Sequence, residues 1–154
     1  MQRSIRGKVG LGRNEGRVMK EIKRILAPTD FSETSLKALE EAVDLAKLLG
    51  AEVHILHVCP LLMYALAPDV VPDDPEFERR LREKLAVRLE ETAQRLRARG
   101  VEIHTVLVDG NPGREIAEVA KERGFDLVVM ATHGRTGWSR FTLGSVAERA
   151  LRSS

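Results

Sequence analysis

Residues 127–148 read LVVMATHGRTGWSRFTLGSVAE, and this stretch decides the fold. Its first four residues, Leu127, Val128, Val129 and Met130, are apolar and rich in β-branching. Such a run predicts a strand buried on both faces. A loop of small residues and glycine follows, from Ala131 to Gly137. Gly144 and Ser145 then open a helix, and Ser145 with Glu148 has capping-box spacing. One strand therefore feeds a glycine loop, with a helix N-terminus just beyond it. That arrangement suits an anion, because free backbone N–H groups and the helix dipole both favour negative charge. Arg135 and Arg140 add donors for phosphate oxygens. No lysine follows Gly144, so this is not a Walker A loop. By spacing alone, the stretch fits an ordinary strand-to-helix connection equally well.

Outward from this segment, strands and helices alternate. Residues 22–27 (IKRILA) predict a first strand, ended by Pro28 and followed by the turn and cap residues Thr29, Asp30 and Ser32. The next helix carries Leu36, Leu39, Val43, Ala46 and Leu49 at helical spacing and stops at Gly50. Residues 53–58 form a second buried strand, completing a βαβ unit. Residues 60–75 predict a loop with Pro68, Pro72 and Pro75, read as a crossover rather than a lid. Residues 76–99 predict a long helix whose wet face pairs Glu78 with Arg82 and Arg79 with Glu83. A third strand spans residues 101–108, and Asn111 with Pro112 starts a short helix ending at Gly124. The β-α-β-α-β-α-β-α order predicts a single doubly wound α/β domain, with a mainly parallel sheet and helices on both faces.

Asp30 falls at the carboxyl end of the first strand, the ligand edge of open α/β sheets. It reads as a ligand carboxylate, a helix cap, or both. His54 and His57 are taken to share one strand face, with no third ligand at metal spacing, and to serve packing or hydrogen bonding. No metal-ligand set is read.

Composition bounds the function. The 154 residues, 43% hydrophobic and 31% charged with a net charge of +2, fit one globular domain and name no partner. The single cysteine, Cys59, excludes an intrachain disulfide and reads as a core residue. No apolar run is long enough to span a membrane, and no signal-peptide core is present, so the expected compartment is the cytoplasm. Residues 1–19 are basic and glycine-containing, and read as a flexible, dispensable extension rather than a nucleic-acid or membrane arm. Met19 is an alternative translation start. The domain proper is residues 20–154.

From about residue 20 to residue 151, the chain resembles the universal stress protein family. Ala27, Pro28, Thr29, Asp30, Phe31, Ser32 and Glu33 resemble its first loop, and Leu56, His57 and Val58 the end of its second strand. Ala131-Thr132-His133-Gly134, nine residues, then Gly144-Ser145 resembles its G-x-x-G-x9-G-S/T motif. The resemblance implies a 3-2-1-4-5 sheet and an ATP site between strands one and four, with ADP or AMP as alternatives and Mg²⁺ or Mn²⁺ bridging the phosphates. It implies that Asp30 reaches the ribose, that Pro28 and Thr29 line the pocket, and that Val58 meets adenine through its main chain. Met130 and Ala131 would lie beneath sugar and phosphates. Gly134, Gly144, Ser145 and Val146 would bind phosphate, with His133 and Arg135 beside them.

Two departures stand out. Ala131 replaces the first motif glycine. The chain ends at Arg152, Ser153 and Ser154 where the family continues into a fifth strand, so that strand is expected to be missing and strand four to become an edge. A homodimer of some form is still expected. The expected function is a nucleotide-binding, stress-response regulator acting through conformational or partner changes. One alternative is a slow ATP-hydrolysing or nucleotidyl-transferring enzyme, with His133 as general base. Another is a dimerisation module that binds no nucleotide. Binding without robust turnover is the reading taken, because the motif loop carries no acidic residue.

Overall fold

A computed structural model describes residues 21–60 and 74–131. The elements are β1 (Arg24–Pro28), α1 (Glu33–Leu49), β2 (Glu52–Cys59), α2 (Pro75–Arg97), β3 (Ile103–Asp109), α3 (Pro112–Glu122) and β4 (Leu127–Val128). The strands form one parallel sheet in the order β3-β2-β1-β4. This is the doubly wound, Rossmann-like arrangement expected from the alternation of elements.

Strand alternation divides the core in two. Ile25, Ala27, Val53 and Ile55 pack with Leu39 and Val43 of α1 and with Leu89, Ala93 and Leu96 of α2. Leu26, Leu56, Val58 and Val106 pack with Ile116, Val119 and Ala120 of α3. β4 serves both clusters, Leu127 and Val129 on one face and Val128 and Met130 on the other. It is nevertheless only half-buried and shorter than its apolar run, because β1 is its sole neighbour in the described sheet.

The caps follow local chemistry. Ser32 caps α1 by accepting from Ser35 N–H, and Asn111 caps α3 by accepting from Arg114 N–H, with Pro112 next to it. Gly50 closes α1 in the left-handed conformation at φ 66°.

Several sequence expectations are corrected. Pro28 is itself the last residue of β1, paired in register with Leu56, so the strand runs one residue further than the sequence suggests and its ladder ends at the proline. Main-chain groups of successive strand residues face opposite neighbours. Thr29 donates to Leu56 O, while Arg24 O and Leu26 O accept from the β4 side. The N–H that Pro28 lacks therefore points toward β4, whose ladder has already ended. Leu49, the last residue of α1, is 41% exposed rather than core. Arg79 does pair with Glu83. Arg82 reaches Asp109 at the end of β3 instead of Glu78, with Nη1 2.6 Å from Oδ2. His54 and His57 lie on opposite faces, since positions three apart on a strand cannot share one. His57 stacks on Phe31 in the α1 and α2 layer, and His54 meets Phe125 in the α3 layer.

Gly110, just after β3, has φ 138°, and its N–H donates to Cys59 O. A Cβ there would lie 2.6 Å from Glu115 Oε1 and 2.8 Å from its Cγ. Gly110→Ala is expected to cost about 1–3 kcal/mol in chemical denaturation, from backbone strain plus this clash. The same change in a Glu115→Ala background should cost less, but not zero, because only the clash is relieved. Equal costs in the two backgrounds would rule the clash out.

Candidate functional site

Parallel strands leave their carboxyl ends on one edge of the sheet. The chain runs from β1 outward to β2 and β3, then returns to β4 on the other side of β1. In open α/β sheets such a reversal of strand order marks a switch point, and the ligand crevice is expected at the carboxyl ends of β1 and β4. Thr29 and Asp30 follow β1 directly, and Met130 and Ala131 follow β4. The sheet thus brings together residues about a hundred positions apart in sequence.

The β1 side of the crevice is held by a compact polar turn. Thr29 is fully buried, and its Oγ1 lies 2.9 Å from Ser35 Oγ and accepts from Phe31 N–H at 3.0 Å. Asp30 Oδ1 accepts from Ser32 N–H at 2.9 Å, which presents its carboxyl group at the mouth of α1. Phe31 has φ 63°, the left-handed region that a bulky residue occupies only when its surroundings impose it. The hydrogen bond to Thr29 imposes it here, together with the ring contacts. The His57 ring is centred 4.6 Å from that of Phe31, and the Arg88 guanidinium lies 4.3 Å over Phe31.

His57 supports the same turn. Its Nδ1 is 2.8 Å from Thr29 O. A carbonyl can only accept, so Nδ1 carries the proton. Burial holds the His57 pKa below its ordinary value, outweighing the Thr29 hydrogen bond and the negative charge of Asp30, both of which favour protonation. The unfolded chain therefore takes up a proton near pH 6.5 that the folded protein refuses. His57's contribution to stability is complete above that pH and is lost as pH falls below it. Wild-type protein should lose more stability than His57→Asn between pH 7.5 and 5.5, by at most about 1.4 kcal/mol per pH unit. Denaturant titrations across this range check it, and parallel pH profiles would refute it.

The β2 side contributes main chain. Even-numbered residues of β2 turn their backbone groups toward β1: Glu52 N–H donates to Lys23 O, and Leu56 O accepts from Thr29 N–H. The next acceptor in that ladder is the Val58 carbonyl. The donor due to meet it, Phe31 N–H, goes to Thr29 Oγ1 instead. The turn after β1 thus takes the Phe31 N–H away from the Val58 carbonyl on the β1 side of β2. Val58's side chain is buried in the α3 layer.

Pro28, Thr29, Asp30, Val58, Met130 and Ala131 therefore meet at one edge. His133, Gly134, Arg135, Gly144, Ser145 and Val146 lie outside the described residues. Phe31 is the only non-glycine described residue with positive φ, so Ala131 has an ordinary backbone that its methyl group tolerates. Sequence reasoning missed the strained Phe31 with its His57 and Arg88 supports, for which the only signal was an aromatic residue between two turn formers. It also missed the Arg82–Asp109 pair at the same edge. Asp109 is the terminal strand residue before Gly110, a position that could have been singled out. No helix among the described residues is long and apolar enough to cross a membrane.

Known proteins resemble this chain in sequence and fold. Residues 21–154 match the model of the universal stress protein family. The chain is 37% identical over 136 residues to universal stress protein MJ0531 of Methanocaldococcus jannaschii, covering 86% of this chain and 77% of that one. It is 33% identical to universal stress protein YxiE of Bacillus subtilis, covering 85% and 93%. The solved structure of MJ0577, a universal stress protein of M. jannaschii, superposes with a TM-score of 0.66 at 31% identity, covering 87% of this chain and 91% of that one. With the sheet order, the first-loop residues and these likenesses in agreement, the chain belongs to the universal stress protein family.

Proposed function

We propose that this protein binds a nucleotide, ATP in the first instance, in the crevice between β1 and β4, and acts as a stress-response regulator whose conformation or partners change with the ligand. The observation that carries the reading is the convergence of Asp30, the Val58 carbonyl, Met130 and Ala131 on the switch-point edge of the sheet. A carboxylate beside a hydroxyl-rich turn suits a ribose. A strand carbonyl past the end of its ladder suits the exocyclic amine of adenine, which is a donor. The phosphates then fall to the loop after β4, where the family motif supplies Gly134, Gly144 and Ser145, with His133, Arg135 and Val146 beside them. Mg²⁺ or Mn²⁺ would reduce the phosphate charge and accompany the ligand. A homodimer is part of the same proposal, as is a cytoplasmic setting.

The test is calorimetric titration of ATP with Mg²⁺ into the full-length protein, with Gly144→Val as the loop control. Saturable binding that Gly144→Val abolishes is the expected result. Absence of binding to protein with a cooperative thermal transition would overturn the proposal. Turnover measured on the same samples separates a binder from an enzyme.

A further inference from the structure

We infer that Glu52, His54 and His104 form a binding site for a divalent transition-metal ion of the zinc class, at the amino-terminal edge of the sheet. The inference is independent of nucleotide binding. Along β2, Val58 lies six positions beyond Glu52, about 20 Å at strand rise. The cluster therefore lies at the edge opposite the proposed phosphates, and an ion there is not the counter-ion of a nucleotide.

Strand geometry builds the cluster. Glu52 and His54 are two apart on β2 and share a face. His104 is directly paired with His54 in the parallel β2–β3 ladder. The two imidazoles lie with centroids 4.7 Å apart. His54 Nε2 is 2.8 Å from Glu52 Oε1, and His104 Nε2 is 3.9 Å from Glu52 Oε2. One ligand atom from each residue lies within 4.8 Å of the others. Ligand atoms of a tetrahedral zinc site stand roughly 3.3–3.5 Å apart, so small side-chain rotations convert these separations into coordination. Both histidines offer Nε2. A donor set of two imidazoles and one carboxylate favours zinc-class ions over Mg²⁺ or Ca²⁺, which prefer oxygen ligands.

The surroundings hold these ligands in place. His54 is largely buried, with its ring edge-on to Phe125 at 4.8 Å. Arg24 Nε donates to Glu52 Oε1 at 3.0 Å, orienting the carboxylate, while the Arg24 guanidinium rests over the Phe125 ring. Its positive charge weakens the site without occupying Oε2. His104 is 46% exposed, giving an ion a path from solvent. His104 also donates to Glu102 Oε1 at 2.9 Å, and Glu102 or water completes the shell. A bound ion would clip β2 to β3 where both strands begin.

Tag-free, chelator-treated full-length protein titrated with Zn²⁺ should take up one equivalent. Its midpoint temperature should rise by about 5–10 °C at a hundredfold excess over Kd. Co²⁺ should give the visible absorption of a tetrahedral site. His104→Ala and Glu52→Gln should each weaken uptake at least tenfold, while the metal-free proteins keep wild-type midpoints within a few degrees, since both side chains are partly exposed. No stoichiometric uptake, or uptake that survives either substitution, would overturn the inference.

Discussion

Leu56→Ala is expected to lower the unfolding free energy by about 3 kcal/mol and the midpoint temperature by roughly 6–12 °C. Leu56 is fully buried in β2, a central strand between β1 and β3. It packs in the layer formed with Leu26, Val106, Ile116 and Val119. Removing its outer carbons forfeits their transfer free energy and leaves a cavity. Sheet on one side and α3 on the other are held by ladders and caps that resist collapse into the gap. Leu48→Ala is the comparison, because Leu48 is 85% exposed and should change stability by no more than about 0.5 kcal/mol. Denaturant unfolding of the two variants side by side checks the contrast. A Leu56→Ala loss as small as that of Leu48→Ala would mean that the α3 layer is not the packed core described.

Asp30→Asn is expected to weaken ATP binding by about ten- to a hundredfold, the range for losing a hydrogen bond to a charged group. The substitution is chosen for what it keeps. One carboxylate oxygen of Asp30 accepts from Ser32 N–H and shapes the entry to α1. The asparagine side-chain oxygen retains that bond, so the entry to α1 is kept. What is lost is the negative charge and the second acceptor, which the proposal assigns to ribose hydroxyls. Asp30→Ala removes both functions, and should weaken binding as much while also costing about 1 kcal/mol of stability. Calorimetry with thermal melts on the same preparations separates the two effects. Wild-type affinity in Asp30→Asn would remove this residue from the ligand site and leave it as a turn former.

These two residues also show how unevenly the chain disclosed itself. Leu56 was legible as core because it sits in a short, mostly apolar strand, residues 53–58, just after the glycine-ended first helix. Asp30 was legible as an edge residue because it follows the first strand of an alternating α/β chain. Neither reading required knowledge of what the side chain touches. The polar turn around Thr29 was legible only as a set of cap formers. Its internal order depends on a positive-φ Phe31, on His57 from another strand and on Arg88 from a distant helix. Likewise the wet face of α2 predicted Glu78 with Arg82 on helical spacing, yet Arg82 turned to Asp109, a partner that spacing within the helix cannot reveal.

By itself, the sequence determined the element order, the helix termini at Gly50 and Asn111 and the parallel sheet. These follow from local periodicity, backbone constraints at glycine and proline, and the rule that parallel strands need crossovers, all of which act within a few residues or on the order of elements. Only the tertiary structure decided which distant side chains meet. It joined His54 to His104, set His57 against Thr29 and Phe31, and sent the Phe31 N–H to Thr29 Oγ1. The reason is register. Sliding β2 against β3 by a single residue would preserve every local pattern, but it would move each imidazole to a different neighbour. That choice is made by packing both faces of the sheet at once, a constraint that no short stretch of the chain contains.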